Sequence, residues 1–168
     1  MSANSTLMIE DNWKYRAWLA QGWSGSTIDD YIGYEIYLED LQMMTPILLP
    51  KLILYRDCVL AAGAGTEKDI AGAKKRFDYW CSNGGKIAGQ CMANAIELVD
   101  CFLATAEKSS AETLQSVAAL IRHCWQYQLL QEYPQRRFTV AISGETFAPE
   151  ITFWQDEGDD GEQTGYEY

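Results

Sequence analysis

The sequence predicts a mainly α protein: an antiparallel bundle of five to six helices with a C-terminal β-hairpin packed against it and a mobile acidic tail. Three observations lead there. Apolar residues recur at spacings of three and four through most of the chain up to Pro134, which is the period of a helix. The stretch 86–106, KIAGQCMANAIELVDCFLATA, carries a broad stripe through Ile87, Cys91, Met92, Ile96, Val99 and Phe102 with few charges, which suits the centre of a bundle. After Pro134 the period changes to two, which suits strands.

The elements follow in order. Residues 1–10 are expected to be loosely held. Asp11 or Asn12 caps a short helix over Trp13 to Gln21, and Gly22 supplies the left-handed stop. Thr27 with Asp30 is a capping pair for a second helix. Its stripe runs through Ile28, Ile32 or Tyr31, Ile36, Leu38 and Leu41, to about Met44. Thr45-Pro46 reads as the start of a very apolar third helix ending at Gly63, kinked at Pro50 or beginning there. Thr66 with Asp69 caps the next helix, whose stripe is Ile70, Ala73, Phe77 and Trp80/Cys81; Ser82 to Gly85 is a turn before the central helix. Ser109 with Glu112 opens a last helix through Leu114, Val117/Ala118, Ile121 and Cys124/Trp125, and Tyr133-Pro134 ends it. The strands RRFTVAIS and EITFWQ form the hairpin, at about 137–154. One helical domain with its hairpin thus spans 1–155, and an acidic flexible tail spans 156–168.

Composition bounds the role. The chain has 168 residues, 48% apolar and 22% charged, which suits one globular domain. Twenty-four acids against 13 bases give a net charge of -11. That disfavours direct contact with nucleic acid and with anionic membranes, and favours a basic partner or plain solubility. No uncharged apolar run approaches the roughly 20 residues of a membrane span, and the N-terminus lacks the pattern of a secretory signal, so a cytoplasmic location is expected. Five cysteines with no C-x-x-C pair read as reduced, buried small hydrophobes.

The search for chemistry finds little. With a single histidine, His123, a zinc site is set aside, and His123 itself reads as a half-buried structural side chain. Asp156, Asp160, Gly161 and Glu167 match a calcium loop in part, but Gly158 takes a ligand position. Gly84-Gly85-Lys86 lacks the rest of a phosphate loop. Glu97 and Asp100 are the carboxylate pair to inspect for acid-base work, with Arg122 or Lys74 as partners if they are buried. Lys74-Lys75-Arg76 and Arg136-Arg137 are short basic patches on an acidic chain. No catalytic residue, cofactor or metal is expected.

What stands out is the second helix, where Tyr and acid are mingled. Asp29, Asp30, Tyr34, Tyr37, Glu39 and Asp40 are the expected contact surface, although six such positions do not fit one narrow stripe of a single helix. A compact acidic protein with aromatic residues in its acidic face suits fast, electrostatically steered capture of a basic protein. Bacterial immunity proteins that neutralise toxins, nucleases among them, work by this logic; the analogy is one of physics, not of sequence. The expected function is therefore a non-catalytic inhibitor of that type. The alternatives are a nucleic-acid mimic that blocks a DNA- or RNA-binding machine, and an enzyme using carboxylate chemistry. Oligomeric state is left open.

Overall fold

The chain first departs from the expected run of helices at Leu52 to Ala61. In the computed structural model, which describes residues 12–156, this apolar run is a hairpin of β1 (Leu52–Tyr55) and β2 (Cys58–Ala61), not a helix. Its turn, Arg56-Asp57, has φ of 47° and 62°, the left-handed pair that matches the twist of a two-residue hairpin. β2 is buried on both faces. Val59 packs into one apolar cluster with Trp125, Ile151 and Phe153, while Cys58 and Leu60 pack into another with Ala73 and Phe77. A strand covered on both sides has no apolar-polar alternation, so its sequence reads like a buried helix.

Before the hairpin lie α1 (Trp13–Ala20), α2 (Ile28–Glu35) and α3 (Leu38–Leu48). Asn12 caps α1, its side chain accepting from the amides of Lys14 and Tyr15. Thr27 and Asp30 form the expected capping box on α2. The single long helix expected here is broken at Ile36 and Tyr37, both extended. Thr45-Pro46 does not start a helix but lies in the last turns of α3.

After the hairpin comes α4 (Glu67–Asn94), capped by Thr66 and Asp69 as expected. It is really two helices, because Gly85 has a φ of 83° that no α-helix admits. The second half does not continue to Ala106. It stops at Asn94, Ile96–Glu97 form β3, and a short α5 (Leu98–Cys101) and a 3-10 turn (Ala106–Lys108) follow. The reason is local. Asn94 is a poor helix former whose amide is better used elsewhere, and Ile96 pairs with Ile151 in the sheet.

α6 (Ala111–Glu132) is capped by Ser110, one residue later than expected, its hydroxyl accepting from the Thr113 amide. Leu114, Ala118, Ile121, Trp125 and Leu129 give it a continuous buried stripe. Then β4 (Phe138–Glu145) and β5 (Ala148–Gln155) form the expected C-terminal hairpin, with β3 added on the other side of β5 in the order β3-β5-β4.

The chain is therefore helices plus C-terminal strands, as predicted, but α4 and α6 pack mainly on strands rather than on one another. α4 covers the Cys58/Leu60 face and α6 the Val59/Phe153 face. Asn94, almost fully buried, joins the two sheets. Its Oδ1 accepts from the Ala61 amide at 2.9 Å, and its Nδ2 donates to the carbonyls of Val59 at 3.2 Å and Phe153 at 3.0 Å. Gln90 ties α4 to β5 by accepting from the Gln155 amide at 3.0 Å. The tail and the first residues, with most of the partial calcium pattern, lie outside the described residues; Asp156 of that pattern accepts from the Thr139 hydroxyl at 2.7 Å.

Candidate protein-binding surface

α1 and α2 are held together by rings. Trp18 stacks on Trp23 with centroids 5.1 Å apart, and Tyr31 meets both Tyr15 and Trp18 edge-on at 5.6 and 5.5 Å. Tyr34 lies tilted against Trp23 at 5.2 Å. The Tyr15 hydroxyl donates to the Ser26 carbonyl at 3.1 Å, which pins the loop between the helices. Contacts of this kind add to area burial and fix orientation.

An open cleft of about 480 Å³ runs between α1 and the α2–α3 break. Trp13, Trp18 and Tyr31 supply aromatic wall, Glu35 and Asp40 supply carboxylates, and Lys14 is the one base among the described lining residues. Burial and the nearby Glu35 charge raise the Tyr31 phenol, so it stays protonated and its hydroxyl remains a donor.

All six residues expected as the contact surface are exposed, but on two helices rather than one. Asp29 and Asp30 lie in the first turn of α2, Glu39 and Asp40 in the first turn of α3, with Tyr34 late in α2 and Tyr37 at the N-cap of α3. Two of the acids have structural work. Asp30 accepts from the Thr27 amide at 2.7 Å and hydroxyl at 2.9 Å, which holds its carboxyl below the usual range. Asp40 accepts from the Tyr37 amide at 3.2 Å. Asp29 and Glu39 remain in acidic first turns, where the helix dipole favours them.

The sequence reading missed the apolar half of this surface. Ile32, Ile36, Leu38 and Leu41 were expected to face a core, yet all are exposed. Leu38 is 81% exposed, Met43 77%, Tyr37 68% and Tyr34 64%. Scattered exposed apolar residues are ordinary, whereas a succession of large ones within two short helices makes this a candidate surface.

Glu97 and Asp100 are both exposed, on β3 and α5, so neither needs a buried partner. His123 is exposed on α6 rather than half-buried. Of the cysteines, Cys58 is buried and Cys101 exposed, the rest intermediate. Burial raises the thiols of Cys58, Cys91 and Cys101, which disfavours the thiolate. Among the described residues no group of three or more His, Cys, Asp or Glu is placed to hold a metal. The basic patches are partly occupied: Lys74 sits 5.3 Å from the Tyr55 ring centroid, Arg76 donates to the Ala93 carbonyl, and Arg136 is paired with Asp57 at 2.7 Å. No described helix is long and apolar enough to cross a membrane.

No protein-family model matches the chain, and neither a curated protein nor a solved structure matches it.

Proposed function

We propose that this protein is a non-catalytic, cytoplasmic binding protein whose α1–α3 surface captures and neutralises a basic protein, in the manner of an immunity-type inhibitor of a toxin. One observation carries the reading: large exposed apolar side chains, Leu38, Leu41, Met43, Tyr34 and Tyr37, stand among the acids Asp29, Asp30, Glu35, Glu39 and Asp40. The acids steer a positively charged partner and raise its rate of encounter. The apolar groups then supply the slow dissociation, as buried aromatic and aliphatic anchors do in tight interfaces. The cleft beside them, with aromatic walls and two carboxylates, suits a lysine or arginine side chain of the partner. A nucleic-acid mimic would need acids without interleaved apolar groups, because phosphate-binding surfaces reward charge and penalise exposed Leu and Met.

Affinity capture from host lysate, with mass spectrometry and a salt titration, tests the reading. A single basic protein retained at low salt supports it; several unrelated nucleic-acid-binding machines would favour the mimic. With the partner identified, Asp29→Lys/Glu39→Lys should lower the association rate at low salt by about tenfold while the dissociation rate changes little. These two acids are chosen because Asp30 and Asp40 cap helices. An unchanged association rate would remove this face from the proposal.

A further inference from the structure

The sheet ends in an uncovered strand. β4 is an eight-residue strand, in continuous register with β5 from Phe138 to Glu145 and with a positive φ of 84° at Gly144 near its end, and among the described residues no strand pairs with its outer edge. Which backbone groups face outward is set by parity. The Asp156 amide donates to the Arg137 carbonyl at 3.0 Å, and these two residues extend the β4–β5 register. Antiparallel ladder bonds recur at every second residue, so residues 139, 141 and 143 bond inward to β5. Phe138, Val140 and Ile142 therefore direct their amides and carbonyls away from it. The far edge of β5 obeys the same parity, since the Phe153 carbonyl and the Gln155 amide bond outward to Asn94 and Gln90.

Soluble proteins usually blunt such an edge with proline, lysine or a bulge. Residues 138–145, FTVAISGE, hold neither proline nor lysine, and the register shows no bulge. We propose that this edge is an assembly surface whose occupant is a second copy of the chain: β4 pairs antiparallel with β4 about a twofold axis through Ala141. This proposal does not depend on the α1–α3 reading.

The sequence of β4 is complementary to its own reverse. Pairing about Ala141 sets Val140 opposite Ile142 of the second copy, and both carry outward-facing backbone groups, so the ladder bonds form. A register displaced by one residue would oppose outward to inward groups and lose them. On the α6 side, Val140 and Ile142 continue the apolar layer across the axis as a β-branched pair. On the other side, Thr139 meets Ser143 and Ala141 meets Ala141, all small and uncharged. At the ends, Arg137 of each copy lies opposite Glu145 of the other. Residues 138–144 carry no charged side chain, so the central part of the strand sets no like charges against each other across the axis. Helix α6 lies over β4 and β5, which places its symmetry mate roughly 10 Å away, an ordinary helix packing distance.

Sedimentation equilibrium of the full chain across the micromolar range tests this. The expected result is a concentration-dependent dimer. Arg137→Glu and Glu145→Arg each put two like-charge pairs into the dimer and should weaken it roughly two- to thirtyfold. The combined variant Arg137→Glu/Glu145→Arg should restore it. Ala141→Lys, which sets two ammonium groups together on the axis, should give a monomer with an unchanged circular dichroism spectrum. Hydrogen exchange of the unmodified chain gives an independent reading: the Val140 and Ile142 amides should become protected as concentration rises. A chain that stays monomeric overturns the proposal, as does a dimer indifferent to these substitutions or a charge swap that fails to rescue. Val140 and Ile142 amides protected at every dilution in a monomer would also overturn it, with the terminal residues of the same chain as the occupant.

Discussion

Asn94 ties β2 to β5 through its side chain alone. Its side-chain amide satisfies one donor and two acceptors on β2 and β5. Asn94→Ala should cost about 3–5 kcal/mol, since each buried polar group left unpaired costs about 1–3 kcal/mol and partial relaxation recovers some of it. Asn94→Asp should also destabilise, because a carboxylate would face the Val59 and Phe153 carbonyls. Urea unfolding of both variants measures this, and a loss below 1 kcal/mol for Asn94→Ala would mean the sheets are held by packing alone. Asp57 makes another long-range tie. The Arg136 guanidinium donates to its carboxylate at 2.7 Å and to its carbonyl at 2.9 Å, and holds its carboxyl below the usual range, with Lys86 adding to the effect. The folded state thus keeps Asp57 ionised to lower pH than the unfolded chain does. The stability from this contact is complete above the unfolded pKa of about 4 and is lost as pH falls through the lower folded value. Thermal melts of the native chain and of Asp57→Asn should therefore differ most near neutrality and converge in acid. A constant difference across that range would assign the effect to the turn's left-handed backbone instead.

Among the elements, those with a private local signal could be read from sequence. α1, the capping boxes at Thr27 and Thr66, the stripe of α6 and the period-two strands β4 and β5 all carry one. The β1–β2 hairpin does not: it is apolar on both faces, and its turn is Arg-Asp rather than a glycine or asparagine pair. Nor did residues 95–106 announce that they leave the helix, because the forces that end it, the Asn94 ties and the Ile96–Ile151 pairing, come from residues distant in sequence, 33 to 59 positions away for Asn94. The kinked α4 shows how close such packing is. A Cβ on Gly89 would lie 2.9 Å from the Cys81 Cβ and 3.1 Å from the Phe77 ring, so the halves on either side of Gly85 touch through that glycine. Gly89→Ala should destabilise by about 1–3 kcal/mol although alanine is the better helix former, because overpacking outweighs a propensity gain of about 1 kcal/mol. Chemical denaturation checks the sign, and stabilisation would show that the two halves separate freely.

At the scale of the whole molecule, none of the exposed apolar residues of the proposed surface belongs to the two buried apolar clusters, and only half of that surface was legible beforehand. Charge is visible in a sequence wherever it falls, so Asp29, Asp30, Glu39 and Asp40 stood out. Exposure is not visible, so Ile32, Ile36, Leu38 and Leu41 passed for a core stripe until the break at Ile36–Tyr37 turned them outward. This separation makes a strong prediction about stability and binding together. Leu129→Ala removes a side chain packed between α6 and the sheet and should cost about 2–5 kcal/mol. The triple change Leu38→Ser/Leu41→Ser/Met43→Ser removes more apolar surface in total, but from side chains already in water. It should leave the unfolding free energy within about 1 kcal/mol of the native value and raise solubility. Capture of the basic partner, by contrast, should weaken at least a hundredfold, chiefly through faster dissociation, while the salt-dependent association rate is kept. Urea unfolding and surface plasmon resonance on the same preparation read both halves. A triple variant that lost several kcal/mol would place these residues in a core, and one that kept full affinity would leave the acids to bind alone.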